Sequence, residues 1–343
     1  MSDKVPDKTD ISYGSDQSGL ICGYLFSGAV SGQAIKSGEA LNWLLKPEAD
    51  RHDQFIWLHF NLTNASAEKW MRAHLSLPPA YFEALGDGSR STRIEAADDS
   101  LIAVVNDVAF SFSFEPSEIS TLWLAVSQNT LISARVHPLR SIDRLRQSAK
   151  TGSHFKSSVA LLIHLMRDQG DVLLEIVRKA TLQVDAVEDN LLTGNLATKR
   201  SELGKLRRVF VRLQRLLAPE PAALFRLLHQ PPAWIAEEDL SDLRQSTEEF
   251  SFAIRDLASL QERIKLLQEE LAAQVNEYTS RSIFTLTVVT VLALPINMIA
   301  GLLGMNVGGI PLAQDDHGFS TIVLMIASIT ITVGWLAFRR INK

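Results

Sequence analysis

Apolar positions follow three rhythms along this chain. Between residues 20 and 140 they come in short runs. LICGYLF (20–26), FIWLHFNL (55–62), STLWLAVS (120–127) and NTLISARV (129–136) are rich in β-branched and aromatic residues and read as strands. SLIAVVNDVAFSFSF (100–114) reads as a hairpin turning at Asn106-Asp107, with alternation visible in its FSFSF end. Between these runs, Asn64 is placed to cap a helix reaching about Leu75, and Pro78-Pro79 opens another short helical piece.

From about Ser141 the rhythm becomes helical. The pattern predicts helices from about Phe155 to Leu192, from about Thr198 to Leu217, and from Pro221 to His229, where Pro231-Pro232 stops the chain. Beyond the prolines, Phe250, Ile254, Leu257, Leu260, Ile264, Leu267, Leu271, Val275 and Tyr278 recur with a mean step of about 3.5, a heptad-like seam. Neither Pro nor Gly interrupts Ala233 to Leu294. A continuous helix from about Ser241 to Leu303 would be about 95 Å long at 1.5 Å per residue. Such a stalk needs partners along its seam, either the preceding helices or copies of itself.

The third rhythm is unbroken. Ile283 to Leu303 and Phe319 to Phe338 hold no Asp, Glu, Lys, Arg or His over 21 and 20 residues. Each is long enough to cross the roughly 30 Å core of a bilayer. The resulting expectation is an α+β cytoplasmic domain with a long stalk helix and two C-terminal transmembrane helices. Its parts are a loose polar tail (1–19), an α/β domain (20–140), helices (141–232), the stalk (233–282), the first span (283–303), an outward loop (304–318), the second span (319–338) and a cytoplasmic tail (339–343).

Charge orients the hairpin. Arg339, Arg340 and Lys343 follow the second span and Arg281 precedes the first, whereas the 15 residues from Gly304 to Gly318 carry no Lys or Arg. Both ends are therefore expected in the cytoplasm, with the lipid bilayer as a partner. The first residues show no secretory signal and are too acidic for a transit peptide. Overall, 34 Lys and Arg face 39 Asp and Glu for a net charge of −5, which gives no support to nucleic-acid binding. The single cysteine, Cys22, excludes an internal disulfide and a cysteine-based zinc cluster. The eight histidines show no paired spacing of a closed zinc site, and no nucleophile–base constellation or P-loop is present, so neither an enzyme nor a resident cofactor is expected. Eleven acidic residues between Glu237 and Glu277 form either a solvated face that also pairs with the basic stretch Lys199–Arg215 or a cation-attracting surface.

Chemistry enters through the first span. Thr287, Thr290, Leu294, Asn297, Gly301 and Gly304 recur at steps of three or four and share one helix face. Polar groups at membrane depth face protein or a watery cavity. Pro295 cannot donate to the carbonyl of Val291, and Gly301 and Gly304 let backbones approach closely. Several copies around an axis would bring Asn306 into a ring whose amide oxygens suit a hydrated divalent cation. About 4.6 kcal/mol per 100 mV, roughly a thousandfold accumulation, would drive such an ion inward. A hairpin that only anchors a signalling or scaffold domain is the reading of another class.

The cytoplasmic α/β domain, long helices, two C-terminal spans and Gly304-Met305-Asn306 at the outer end of the first span resemble the CorA metal-ion transporter family. The resemblance implies a funnel-shaped homopentamer in the bacterial inner (plasma) membrane, a pore lined by the first span, and Asn306 as its entrance filter. The continuation Val307-Gly308-Gly309-Ile310-Pro311 is similar to the ZntB zinc-transporter branch, which implies zinc uptake coupled to protons. A magnesium or cobalt channel is the alternative. Asp315, Asp316 and His317 are then the nearest protonatable groups, unless they form only a polar loop.

Overall fold

The computed structural model describes residues 14–28, 30–51, 53–88, 91–189, 196–305 and 315–341. In chain order these form β1 (Leu20–Ser27), β2 (Val30–Ile35), α1 (Ser37–Leu44), β3 (Gln54–Asn61), α2 (Ala65–His74), α3 (Pro79–Gly86), β4 (Arg93–Ala97), β5 (Ser100–Val108), β6 (Ile119–Ser127), β7 (Thr130–Arg135), α4 (Arg140–Lys150), α5 (Ser158–Asp189), α6 (Leu196–Leu217), α7 (Pro219–His229), α8 (Glu237–Leu303) and α9 (Gly318–Ile341). They fall into two units, Met1–Gln268 and Glu269–Lys343.

The first unit is built on a seven-stranded sheet of order β2-β1-β3-β7-β6-β5-β4. Every neighbouring pair is antiparallel except β3 and β7, which run parallel. Both faces are covered, so the central strands read as continuous apolar runs rather than alternating ones. Ile56, Leu58 and Phe60 of β3 point to one face, where they pack with Trp43 of α1, Ala67 and Met71 of α2 and Tyr81 of α3. Phe55 and Trp57 point to the other, among Ile142 and Leu145 of α4, Leu161 and Leu165 of α5, Leu224 of α7 and Leu243 of α8. Local signals agree with these positions. The Asn64 side chain accepts from the Ser66 N–H at 2.9 Å and caps α2, and Pro79 begins α3.

The expected hairpin at Asn106-Asp107 is not there. β5 runs straight through both residues, which are buried, and turns instead at Asp98-Asp99 before it and through 109–118 after it. Two polar residues inside an apolar run signal a buried polar site here rather than a turn. The short strands β2 and β4 lack a strong apolar pattern and sit at the sheet edges.

The seam of α8 finds its partners within the chain over the first unit. Phe250, Leu257, Leu260, Ile264 and Leu267 are buried, and Phe250 lies against Gly170 of α5, where a Cβ would stand 3.6 Å from its ring. Arg263 bonds Asp185 at 2.7 Å and also Glu188 at the end of α5, while Arg207 of α6 reaches Gln268 at 3.0 Å. Arg207 thus joins basic α6 to α8, and Arg263 adds a tie from α8 to two acids of α5. Leu271 is the last buried seam residue, and Tyr278 is exposed.

Burial separates seam from surface within a few residues, Leu257 being buried and Phe252 exposed. Leu257→Ala should cost about 2–5 kcal/mol, seen as a lowered unfolding midpoint of the full chain in detergent micelles. Phe252→Ala, at 60% exposure, should shift the same midpoint by no more than about 0.5 kcal/mol.

Candidate functional site

In the second unit, α9 packs along the last part of α8. A crevice between them is lined by Leu292, Pro295, Ile296 and Ile299 from α8 and by Ile326, Ile329 and Thr330 from α9. At 3.6 residues per turn, Val288, Leu292, Pro295, Ile296, Ile299 and Leu303 fall in a sector of about 100°. These are the partly covered residues of this stretch. Thr287, Thr290, Leu294, Asn297, Gly301 and Gly304 fall in a second sector of about 100°, centred about 180° away. All six are exposed. The stripe singled out from the sequence is thus the face of α8 that α9 leaves uncovered.

Both apolar stretches are long enough to cross a membrane and are almost wholly uncovered, with 0% and 6% of their most apolar windows buried. Core helices of a soluble protein, by contrast, are mostly buried.

Along the uncovered stripe the polar groups differ in kind. Thr287 Oγ1 donates to the Ile283 carbonyl at 2.8 Å and Thr290 Oγ1 to Leu286 at 2.9 Å. Each hydroxyl is satisfied by its own helix, so these two contribute little unmet polarity. Asn297 is exposed, and its amide has no hydrogen-bond partner among the described residues. Two residues earlier, Pro295 lies inside the helix and leaves the Val291 carbonyl without its i+4 donor. Gly301 faces open space, since a Cβ there would meet nothing within 4 Å. Packing within this chain therefore gives no reason for glycine at that position. Helical bonding ends with the Gly304 N–H donating to the Ala300 carbonyl at 2.9 Å, and Met305 is half-exposed. Asn306 lies outside the described residues.

At the start of α9, Asp315 accepts the His317 N–H on its carboxylate at 3.0 Å and the Gly318 N–H on its carbonyl at 2.9 Å. Ser320 and Thr321 hydroxyls donate to the His317 carbonyl. Asp315 closes a turn leading into α9, and Asp315, Asp316 and His317 are all exposed.

Among the described residues no three His, Cys, Asp or Glu side chains are grouped to hold a metal. His164 packs edge-on against Phe155 with its Nε2 3.1 Å from Ser148 Oγ. His59 is buried beside Ser133, and burial pushes its ring down to about 3, so it stays neutral. Half-covered Cys22 has its thiol pushed up to about 12 by desolvation.

An α+β unit bearing a long helix that continues into one of two uncovered apolar helices defines a class of membrane-inserted carriers. The family model described as CorA-like Mg2+ transporter protein matches residues 52–340, and the chain belongs to that family. A divalent cation transporter, CmaX of Pseudomonas aeruginosa, is 28% identical over 332 residues, covering 95% of this chain and 97% of that one. Zinc transport protein ZntB of Yersinia enterocolitica is 23% identical over 283 residues, covering 82% and 86%. The solved structure of full-length CmaX matches at a TM-score of 0.77 and 26% identity, covering 96% of this chain and 100% of that one. The chain is accordingly a divalent cation transporter of the CorA family and not an enzyme.

The two faces of α8 should separate in solution chemistry. Cysteine placed at Thr290, Leu294 or Asn297 should react with a membrane-impermeant thiol reagent, and cysteine at Leu292, Ile296 or Ile299 should not. Cys22 adds little background, because a protonated thiol is a poor nucleophile.

Proposed function

We propose that this transporter takes up zinc through a central path formed by five copies of the chain, with the uncovered stripe of α8 lining it and Asn306 as the entrance filter. The observation that carries this reading is the stripe itself. A polar, glycine-containing face directed away from α9 needs either water or another copy beside it. The open space at Gly301 supports close approach by a neighbouring copy.

Leu294 then supplies an apolar constriction between the threonine and asparagine levels. Met305 and Gly304 present Asn306 at the mouth. The lack of titratable groups in the spans suits an ion that crosses with much of its water, moved by the membrane potential. Both termini face the cytoplasm of a bacterial inner membrane on the charge asymmetry of the loops. Zinc rests on the relatives named as zinc transport proteins and on the stretch Val307–Pro311, while the family model is named for Mg2+. Proton coupling rests on Asp315, Asp316 and His317, the exposed protonatable groups nearest the spans.

Flux into proteoliposomes tests each part. Wild type should take up zinc faster than magnesium, and faster with the outside more acidic. Asn306→Ala should lower zinc flux by about 10-fold or more, the scale of losing one well-placed polar contact. Faster magnesium than zinc entry would assign the alternative cation. Zinc entry indifferent to the pH gradient would leave simple electrodiffusion, and absence of any flux would return the hairpin to an anchor.

A further inference from the structure

Much of the charge on α6 and α8 meets no opposite charge inside the chain. Lys205, Arg208, Val211 and Arg215 follow at steps of three or four on α6, so they share a sector of about 120°, and all four are exposed. The three cations make no ion pair among the described residues. On α8, Asp256, Ser259, Glu262 and Leu266 follow at the same spacing and share a sector of about the same width. They too are exposed, Leu266 by 56%. Asp256 makes no ion pair among the described residues, and Glu262 pairs with the neighbouring Lys265 at 2.9 Å. An exposed pair of that kind is weak and easily exchanged. Arg255, a cation bordering this face, lies over the Phe252 ring.

The two faces stand at matching heights. Leu216, at the end of α6, accepts the Thr92 hydroxyl beside the sheet at 2.9 Å, and Leu243, near the start of α8, is packed into the core under the sheet. α6 therefore runs toward the sheet and α8 away from it, and the Arg207–Gln268 bond sets their register. With the same rise on both helices, Val211 stands level with about residue 264, between Glu262 and Leu266. Arg215 stands level with about residue 260, between Asp256 and Glu262. Rotation of a copy about an axis parallel to α8 leaves every height unchanged. It can therefore set Leu266 opposite Val211 and the acids opposite the cations of a neighbour. A two-fold contact through either face would instead bring like charges together.

We propose that the face of α6 bearing Arg208, Val211 and Arg215 docks on the face of α8 bearing Asp256, Glu262 and Leu266 in the next copy of the chain, a head-to-tail contact repeated around the ring. This rests on the ring of copies proposed for transport, and it adds the two faces by which the soluble units meet. Val211 and Leu266 form the apolar centre of the contact. The charges around them set its orientation and exclude the two-fold alternative more than they add affinity. The pairing of acidic α8 with basic α6 that the sequence suggests is then made between copies instead of within one.

Disulfide trapping in the full chain, in detergent micelles, tests this. Val211→Cys and Leu266→Cys in the same chain, oxidised with copper phenanthroline, should give a ladder of linked copies on a denaturing gel without reductant. Either cysteine alone should leave single chains. Cys22 is common to all variants and holds its proton, so it reacts slowly. Adding Arg208→Glu and Arg215→Glu should lower the yield of the ladder about fivefold, the scale of a few exposed ion pairs. Adding Asp256→Arg and Glu262→Arg to that variant should return the yield to within about twofold of the start, which a chain misfolded by the first reversal could not do. Light scattering of the same micelles counts the copies. Assembled particles without a ladder would overturn this contact and leave the ring standing, whereas single chains would overturn both. Linked pairs from either lone cysteine, a ladder indifferent to the first reversal, or a second reversal that restores nothing would also overturn the contact.

Discussion

An amide cannot be left facing lipid. Water is absent there, and an unmet donor or acceptor costs several kcal/mol. In this chain that constraint falls on Asn297, on the side of α8 turned away from its crevice with α9. Thr287 and Thr290, both earlier on the stripe, escape it by bonding their own backbone. The uncovered stripe is thus a commitment to further structure. Either neighbouring copies or a water-filled path must meet it, and Gly301 leaves room for a neighbour to come close.

The same rule shapes the soluble unit in the opposite solvent. Covering both faces of a seven-stranded sheet removes water from the strand edges as well as from the side chains. Where β4 stops short, the freed backbone groups of Asn106 must be met by side chains, and Glu220 and Gln169 meet them. A carboxyl used as a strand substitute brings a titratable group into the core. The same exclusion of water means that Asp107, one residue on, can cap α4 only by placing a second acid in the same dry region.

Much of this was readable in the sequence because it depends on patterns repeated over many residues. The two charge-free runs, the seam from Phe250 and the stripe from Thr287 to Gly304 each rest on several positions that agree. What escaped rests on single residues whose meaning is set by distant partners. Asn106-Asp107 has turn composition, and only the neighbours brought by α5 and α7 convert it into a buried site. Glu220 reads as an acid favoured in a first helical turn, a local preference that hides its bond to a strand 114 residues away. The edge strands β2 and β4 were faint because an edge buries too little to need an apolar pattern. Net charge along a helix does not tell which face carries it, so the tie from Arg263 of acidic α8 to two acids of α5 was not legible either.

On the proposed reading, the chemistry of the path bears on which ion it carries. Amide and backbone oxygens are hard donors, whereas zinc is borderline-soft and gains most from imidazole and thiolate. The described part of the stripe offers neither. A path of this kind cannot select zinc over magnesium by tight coordination, and tight coordination would in any case hold the ion in place rather than pass it on. Preference must then arise from the ease of shedding or rearranging water at the entrance. Magnesium gives up its water reluctantly and demands near-ideal octahedral geometry, whereas zinc tolerates four- and five-coordinate shells. An uncharged constriction at Leu294, too narrow for a full octahedral shell, would favour the ion with the more pliable hydration. Selectivity would then lie in the width of an apolar ring rather than in the identity of a ligand.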